Sequence, residues 1–522
     1  MRKVLALMTI LATSAGTAGA NPLLEAWEAP FGVPPFEAVE TAHFEPAFTA
    51  ALTAHEEEIA AIASDPASPS FTNTVEAIDA AGGELRRVRS VFRLLSGAMT
   101  DDDLQAVQRR LAPVLSRHKD AILLNEQLFA RVDAVYGQRQ KLDLDTEQSR
   151  LLSETWKKFV RGGANLPAAR KEELKILNEK LALLTVGFGE NVLKETNRFE
   201  LVIDDEEDLA GLPKGVVAAA AAAATQRDKE GQWIITLHKP SFIPFLQYAE
   251  NRALRQQVFA AYASMCDHGD ELDNKGAVVE ISDLRARRAA LLGFATHAHY
   301  VLDDNMAGKP EAVYGLLRKV WDPALARAKG EVIEMQAIID AEGGDFKLAA
   351  WDWWYYAEKV KHAKFDLNEE MLRPYFEMSA VRQGVFDVAG RLWGLQFTPR
   401  RDIPVWHEDV AAFEVTDAEG RVMALLMTDY FPRASKRGGA WMNALVKQRY
   451  ENDQRVVPVI YNVGNFTKPT ADTPSLLSMD EVGTMFHEFG HALHGMLSDC
   501  RYRSLSGTSV ARDFVELPSQ VM

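Results

Sequence analysis

The chain has 522 residues, a formal net charge of −16 and two cysteines, Cys266 and Cys500. An excess of carboxylates repels nucleic acid and anionic membrane surfaces, so neither is expected as a partner. The cysteines have no metal-ligand spacing, which excludes a sulphur metal site, and both are expected as unpaired, buried thiols.

Met1-Arg2-Lys3 is a short positive head, residues 4–12 are an apolar run, and Ala18-Gly19-Ala20 is a small-x-small cleavage site. This is the pattern of a secretory signal peptide over residues 1–20, too short to span a bilayer. Asn21 follows the cut, which argues against a lipid anchor. The mature chain is expected to be soluble and exported, to the periplasm if the source is Gram-negative. A monomer is expected.

From residue 37 to 200 the pattern is helix after helix, with apolar stripes over 46–62, 74–94, 102–128, 147–160 and 166–195. No fixed repeat period occurs, so a regular solenoid is not supported. Residues 199–203 and 233–237 read as short strands around an alanine run at 218–224, which favours a helix. Helices are expected again over 244–265, 274–292 and 310–342, the last with a break at Asp322-Pro323. The cluster Trp351 to Tyr356 reads as core or cleft wall, with a grip on peptide side chains as the alternative. Asp352 is placed to cap the helix that follows it.

The β region spans roughly 404–462. Two runs, 413–415 and 422–427, flank Asp417-Ala418-Glu419-Gly420, a hairpin signal. A third strand is expected at 456–461, with Pro458 marking it as an edge. An edge strand beside a site can pair with an extended peptide through its backbone.

Residues 487–491 read His-Glu-Phe-Gly-His, an H-E-x-x-H. On a helix the two imidazoles lie one turn apart on one side and can hold one zinc ion, with Glu488 placed to act on a water. The helix has its own signals: Ser478 and Glu481 at capping-box spacing, acidic residues in the first turn, and apolar positions 482, 485, 486, 489, 493 and 496. A catalytic zinc takes three protein ligands and keeps a position open, so a third is sought downstream. Asp513 and Glu516 are the carboxylates there, and the apolar neighbours of Glu516 place it inside, where a carboxylate needs a partner. Asp513 shares the face of Glu516 if the segment is helical. It could then orient a ligand histidine, with a solvated or salt-bridged aspartate as the alternative. His494 reads as a surface or core histidine.

The segment around the motif, with Ser504-Leu505-Ser506-Gly507-Thr508 and Arg512-Asp513-Phe514-Val515-Glu516-Leu517-Pro518-Ser519-Gln520 after it, resembles the thimet oligopeptidase family of zinc peptidases. The stretches Asn21-Pro22-Leu23-Leu24, Pro30 to Phe36, Trp351-Asp352-Trp353, Tyr355 to Lys359 and Asn465 to Pro469 are similar to its bacterial peptidyl-dipeptidase branch. The resemblance covers nearly everything after residue 20.

It implies a mainly α fold: two helical lobes around a deep channel, with zinc at the floor of a zincin-like catalytic lobe and a small β-sheet beside it. An N-terminal helical lobe over 21–250 and a catalytic region over 251–522 are expected. It implies His487, His491 and Glu516 as ligands of one Zn2+ per chain and Glu488 as the catalytic base. The implied substrates are short unstructured peptides, losing dipeptides from free C-termini. A cation or hydroxyl must then hold the terminal carboxylate; Arg501, Arg503, Arg512 and Lys468 are nearby in sequence, and nothing selects one. An endo-acting oligopeptidase is the alternative on the same scaffold. A helical peptide-binding protein with an inactive zinc motif is the alternative of another class. Members of the family continue well past the position of residue 522 and supply donors to the transition-state oxygen from there. The resemblance therefore also implies a fragment, exposing apolar surface and prone to aggregate.

Overall fold

Helix boundaries follow capping residues more closely than they follow apolar periodicity. The computed structural model describes residues 21–470 and 473–522; the stretch expected to be a signal peptide, 1–20, lies outside the described residues. Helix α1 spans Phe44–Ser64. The single helix expected over 74–94 is instead a π-helical turn running into α2 (Ala77–Ala80), followed by α3 (Gly83–Ala98). They part at Gly82, whose φ of +76° suits glycine and whose missing Cβ leaves room for the His55 ring. The helix expected over 102–128 is likewise α4 (Asp102–Leu123) and α5 (Glu126–Gly137), because the Asn125 side chain accepts the Leu128 N–H at 2.9 Å and starts a new helix. Helices α6 (Thr146–Arg161) and α7 (Ala168–Arg198) fall where expected.

Strand β1 (Leu201–Ile203) pairs antiparallel with β2 (Trp233–Ile235), and α8 (Lys214–Thr225) carries the alanine run between them. The helix expected over 244–265 divides into α9 (Lys239–Tyr248) and α10 (Arg252–Ala263), with Asn251 capping the second. Helices α11 (Lys275–Leu291) and α12 (His297–Leu302) follow. The break expected at Asp322-Pro323 does not occur: α13 runs unbroken through Pro323 from Pro310 to Ala341. Pro323 stands on an exposed stretch, so water can satisfy the carbonyl that proline frees.

Helix α14 (Trp353–Phe365) begins at the aromatic cluster. Asp352 does not cap it. Its fully buried carboxylate accepts the Ala349 N–H at 3.0 Å and ion-pairs with Arg252 and Arg255 of α10. Trp353, Tyr355 and Tyr356 pack with Met335 and Ile339 of α13, so most of the cluster is core.

After α15 (Met378–Trp393) come β3 (Gln396–Arg400), β4 (Ala411–Thr416), β5 (Val422–Asp429) and β6 (Trp441–Val446). The short hairpin β7 (Arg449–Glu451) and β8 (Gln454–Val456) leads to β9 (Val459–Val463). The main sheet has the order β3-β4-β5-β9-β6, with β5 and β9 parallel and the other pairs antiparallel. The hairpin turn at 417–420 is as expected, with Gly420 at φ +79°. The edge expected for the 456–461 strand is overturned. β9 begins one residue after Pro458, whose carbonyl accepts the Leu425 N–H, and it lies between two neighbours. The edges of the sheet are β3 and β6.

The sheet divides the interior into two apolar layers, as alternation along a strand requires. Leu425, Met427, Val459, Tyr461 and Val463 face α1, α3 and α4. Ala424, Leu426 and Ile460 face α15 and the helix that carries the histidine motif. The first layer joins residues near position 23 to residues near position 463, so segments far apart in sequence share one core. No helix among the described residues is long and apolar enough to cross a membrane.

Candidate metal centre

Helix α16 (Met479–Met496) is capped as its sequence indicates. Ser478 Oγ accepts the Glu481 N–H at 3.1 Å, and Glu481 accepts the Ser478 N–H at 2.8 Å. Glu481 also accepts the N–H and hydroxyl of Thr467, which ties the helix start to the segment after β9. Val482, Met485, Phe489, Ala492, Leu493 and Met496 are buried against the sheet. Burying that face directs His487 and His491 to the other, where their rings meet edge to face with centroids 5.0 Å apart.

Glu516 arrives from the turn before α17 (Leu517–Val521). Its Oε2 lies 3.3 Å from His487 Nε2 and 3.1 Å from His491 Nε2. Candidate ligand atoms of the three residues all fall within 4.8 Å of one another. The approach depends on Gly490: a Cβ there would stand 2.5 Å from the Pro518 carbonyl oxygen. The Ser519 hydroxyl donates to Glu516 Oε2 at 2.8 Å and, with the two histidines, holds the carboxyl below its ordinary range. Contrary to the burial inferred from its neighbours, the Glu516 side chain is 53% exposed. Its segment is a chain of turns opening on the cleft, and apolar neighbours in sequence do not enclose it.

Glu488 is buried, and its Oε2 has no hydrogen-bond partner. Burial, with the Glu516 charge adding to it, pushes its carboxyl up to about 7. A cation held among the three ligand residues would lower it again. His491 Nδ1 and His494 Nδ1 are also buried without partners. His494 is half-buried and stands outside the converging group.

Asp513 does not act on a histidine. Residues 512–515 are turns and not a helix, so the side chain does not share the face of Glu516. It accepts the N–H groups of Met306 and Ala307, each at 2.9 Å, and fastens the loop to the end of α12. Of the cations considered for a substrate carboxylate, Lys468 ion-pairs with Asp409, and Arg503 donates to the Asp79 carbonyl. Cys266 and Cys500 are free, Cys266 buried and Cys500 partly so.

A cavity of about 400 Å³ opens at the start of α16, one turn from His487, and is lined by Thr484, Glu481, Trp354, Arg373 and Lys239 among others. Lys239 of α9 and Trp354 of α14 lie far from the motif in sequence, and no local pattern places them here. Among the aromatic cluster, Trp354 is the residue that reaches this cavity.

The Peptidase family M3 model matches residues 245–522. The chain is 41% identical over 502 residues to a dipeptidyl carboxypeptidase of Escherichia coli, covering 96% of this chain and 73% of that protein. The dipeptidyl carboxypeptidase of Salmonella typhimurium is also 41% identical, with 74% of its length covered. Oligopeptidase A of Salmonella typhimurium is 33% identical over 508 residues, covering 96% of this chain and 74% of that protein.

Proposed function

The chain belongs to peptidase family M3 and is a metallopeptidase, and from that premise we propose that it releases dipeptides from the free C-termini of short, unstructured peptides, using one zinc ion held by His487, His491 and Glu516. The observation that carries the site is the convergence of two imidazole nitrogens and one carboxylate oxygen on a side open to solvent. Two histidines and a glutamate are a donor set of catalytic zinc, so the residues present fit the ion. When bound there, zinc supplies Lewis acidity toward the attacking water and the scissile carbonyl.

The chain's own residues do the rest. Glu488 follows a ligand histidine and has a free, buried oxygen, which suits it to take the proton of the attacking water and pass it to the leaving amine. Gly490 and Ser519 fix the approach of Glu516. The free edge of β6, on which α16 rests through the close contact of Gly495 with Met442, offers backbone groups to an extended peptide. Pairing through the backbone tolerates many side chains, as a peptidase of short peptides requires.

The identity to proteins named dipeptidyl carboxypeptidase favours exo-cleavage, and the identity to oligopeptidase A keeps an endo-acting enzyme as the second reading. Mass spectrometry of the products from an unblocked decapeptide and from its C-terminally amidated twin separates them. Successive loss of dipeptides from the free peptide alone is expected. Internal cuts in both peptides would establish the endo-acting reading.

A further inference from the structure

A second cavity, of about 770 Å³, runs beside β6 and is lined by Asn443 to Val446 of that strand. Facing the strand, α3 presents Arg86, Arg89 and Arg93, positions i, i+3 and i+7, which share one side of a helix. Lys447, Arg501 and Arg503 line the same cavity. None of these six side chains forms an ion pair with a carboxylate among the described residues. Arg86 donates to the carbonyls of Ala80 and Ala81, Arg503 to the carbonyl of Asp79, and Lys447 to the Ser509 hydroxyl. Among the described residues Arg89 and Arg93 make no side-chain hydrogen bond, and Arg86 Nε is buried without a partner. Three carboxylates also line the cavity, each with a partner: Glu76 with the Tyr502 hydroxyl, Asp79 with Ser504, Glu451 with Arg449.

An acidic chain has thus gathered eight cations against three carboxylates in one groove, with Asp79 partly offsetting Arg86, Lys447 and Arg503. Burial, with Arg503 nearby, lowers Arg86 to about 9, and burial with Arg93 and Arg503 lowers Lys447. Such a cluster focuses a positive potential and favours an anionic occupant. The shape argues against a lone small anion, since the cavity follows four successive residues of an unpaired strand edge. Side chains on one face of an extended peptide recur about every 6.8 Å. The stripe from Arg86 to Arg93 spans about 10.5 Å of helix, long enough to meet two of them. Lys447, at the cavity wall, donates to the Ser509 hydroxyl, in the segment that leads to Glu516.

We propose that this groove is a subsite for acidic side chains, in which aspartate or glutamate residues of a peptide lying along β6 are held by Arg86, Arg89 and Arg93. The inference rests on the reading of the chain as a peptidase that binds extended peptides at β6. Guanidinium groups bind carboxylates in bidentate fashion, which gives the subsite its preference over neutral side chains.

The test uses decapeptides carrying Glu-x-Glu at successive registers, each with a Gln-x-Gln twin, assayed at low salt. In at least one register kcat/KM should exceed that of the twin by about tenfold or more, the scale of a charged hydrogen bond. The Arg89→Ala/Arg93→Ala variant should bring the kcat/KM ratio of acidic peptide to twin to about one, because the guanidinium groups that distinguish the two are gone. The Arg89→Lys/Arg93→Lys variant should keep most of the gain. A gain that survives the alanine variant, or no register differing from its twin, would overturn the proposal while leaving the peptidase reading intact. If no peptide is cleaved, that reading fails instead. Fluorescence anisotropy of the labelled peptides on the same protein then decides the subsite: equal binding of acidic and neutral twins overturns it. Binding of inorganic phosphate with no preference for the acidic peptide overturns it as well.

Discussion

Glu488 and Glu516 stand close together but differ in burial, and the difference suits the separate roles proposed for them. Glu488 is enclosed with one oxygen uncommitted, as a proton carrier requires. Replacing it with Gln removes the basic carboxylate and keeps the shape, so Glu488→Gln should retain metal by elemental analysis and lose activity by about a hundredfold or more. A near-native rate would remove Glu488 from the mechanism. Glu516 is exposed but converges on both imidazoles. Glu516→Ala should leave two ligands, so metal affinity in a chelator competition should fall together with activity. Unchanged affinity would mean that the third ligand lies elsewhere, and Asp513, turned toward Met306 and Ala307, is poorly placed to supply it. The histidine pair was legible because its spacing is a property of one helix. The exposure of Glu516 was not, because apolar neighbours in sequence say nothing about the direction a turn takes.

At the scale of elements, α16 was readable in full, since cap, first-turn charge and apolar face all agree. The divisions at Asn125 and Asn251 were missed for a physical reason. A single side chain that caps one backbone N–H (Asn125) or two (Asn251) starts a new helix without disturbing the apolar spacing on either side. The position of β9 inside the sheet was missed because Pro458 was taken as part of the strand, whereas it precedes the strand. One contact between elements yields a prediction. Gly490 of α16 touches Pro518 and Ser519, and a methyl group there would stand 2.6 Å from the Ser519 Cα. That distance is too short for either backbone to tolerate, so α17 must move, and Glu516 with it. Gly490→Ala should therefore weaken metal binding and activity although no ligand is altered. The same variant should show near-native helix content by circular dichroism, because alanine favours the helix. Full metal affinity in this variant would show that Glu516 does not depend on the packing of α17.

The whole molecule is organised by long-range contacts that no local pattern encodes. The core layer on one face of the sheet is built from helices near residues 44–111 and strands near residues 425–463. It brings α3 alongside β6 and so creates the basic groove, although the arginines of α3 read in sequence as an ordinary charged helix face. Helix α13 shows the opposite situation. Tyr314, Leu316, Leu317, Val320, Trp321 and Ile333 are each more than half exposed. Tyr314, Leu317 and Trp321 repeat at i, i+3 and i+7, so they form one stripe and not scattered single residues. An exposed apolar stripe of this extent on a helix favours association, in keeping with the exposed apolar surface expected from the sequence. The chain 21–522 should therefore show a mass that rises with concentration in static light scattering, and substituting Leu317→Glu and Trp321→Lys should suppress the rise. Both substitutions lie on exposed positions far in sequence from the metal ligands, so metal content per chain should not change. A mass that stays constant across the concentration range in the parent chain would show that this stripe does not associate.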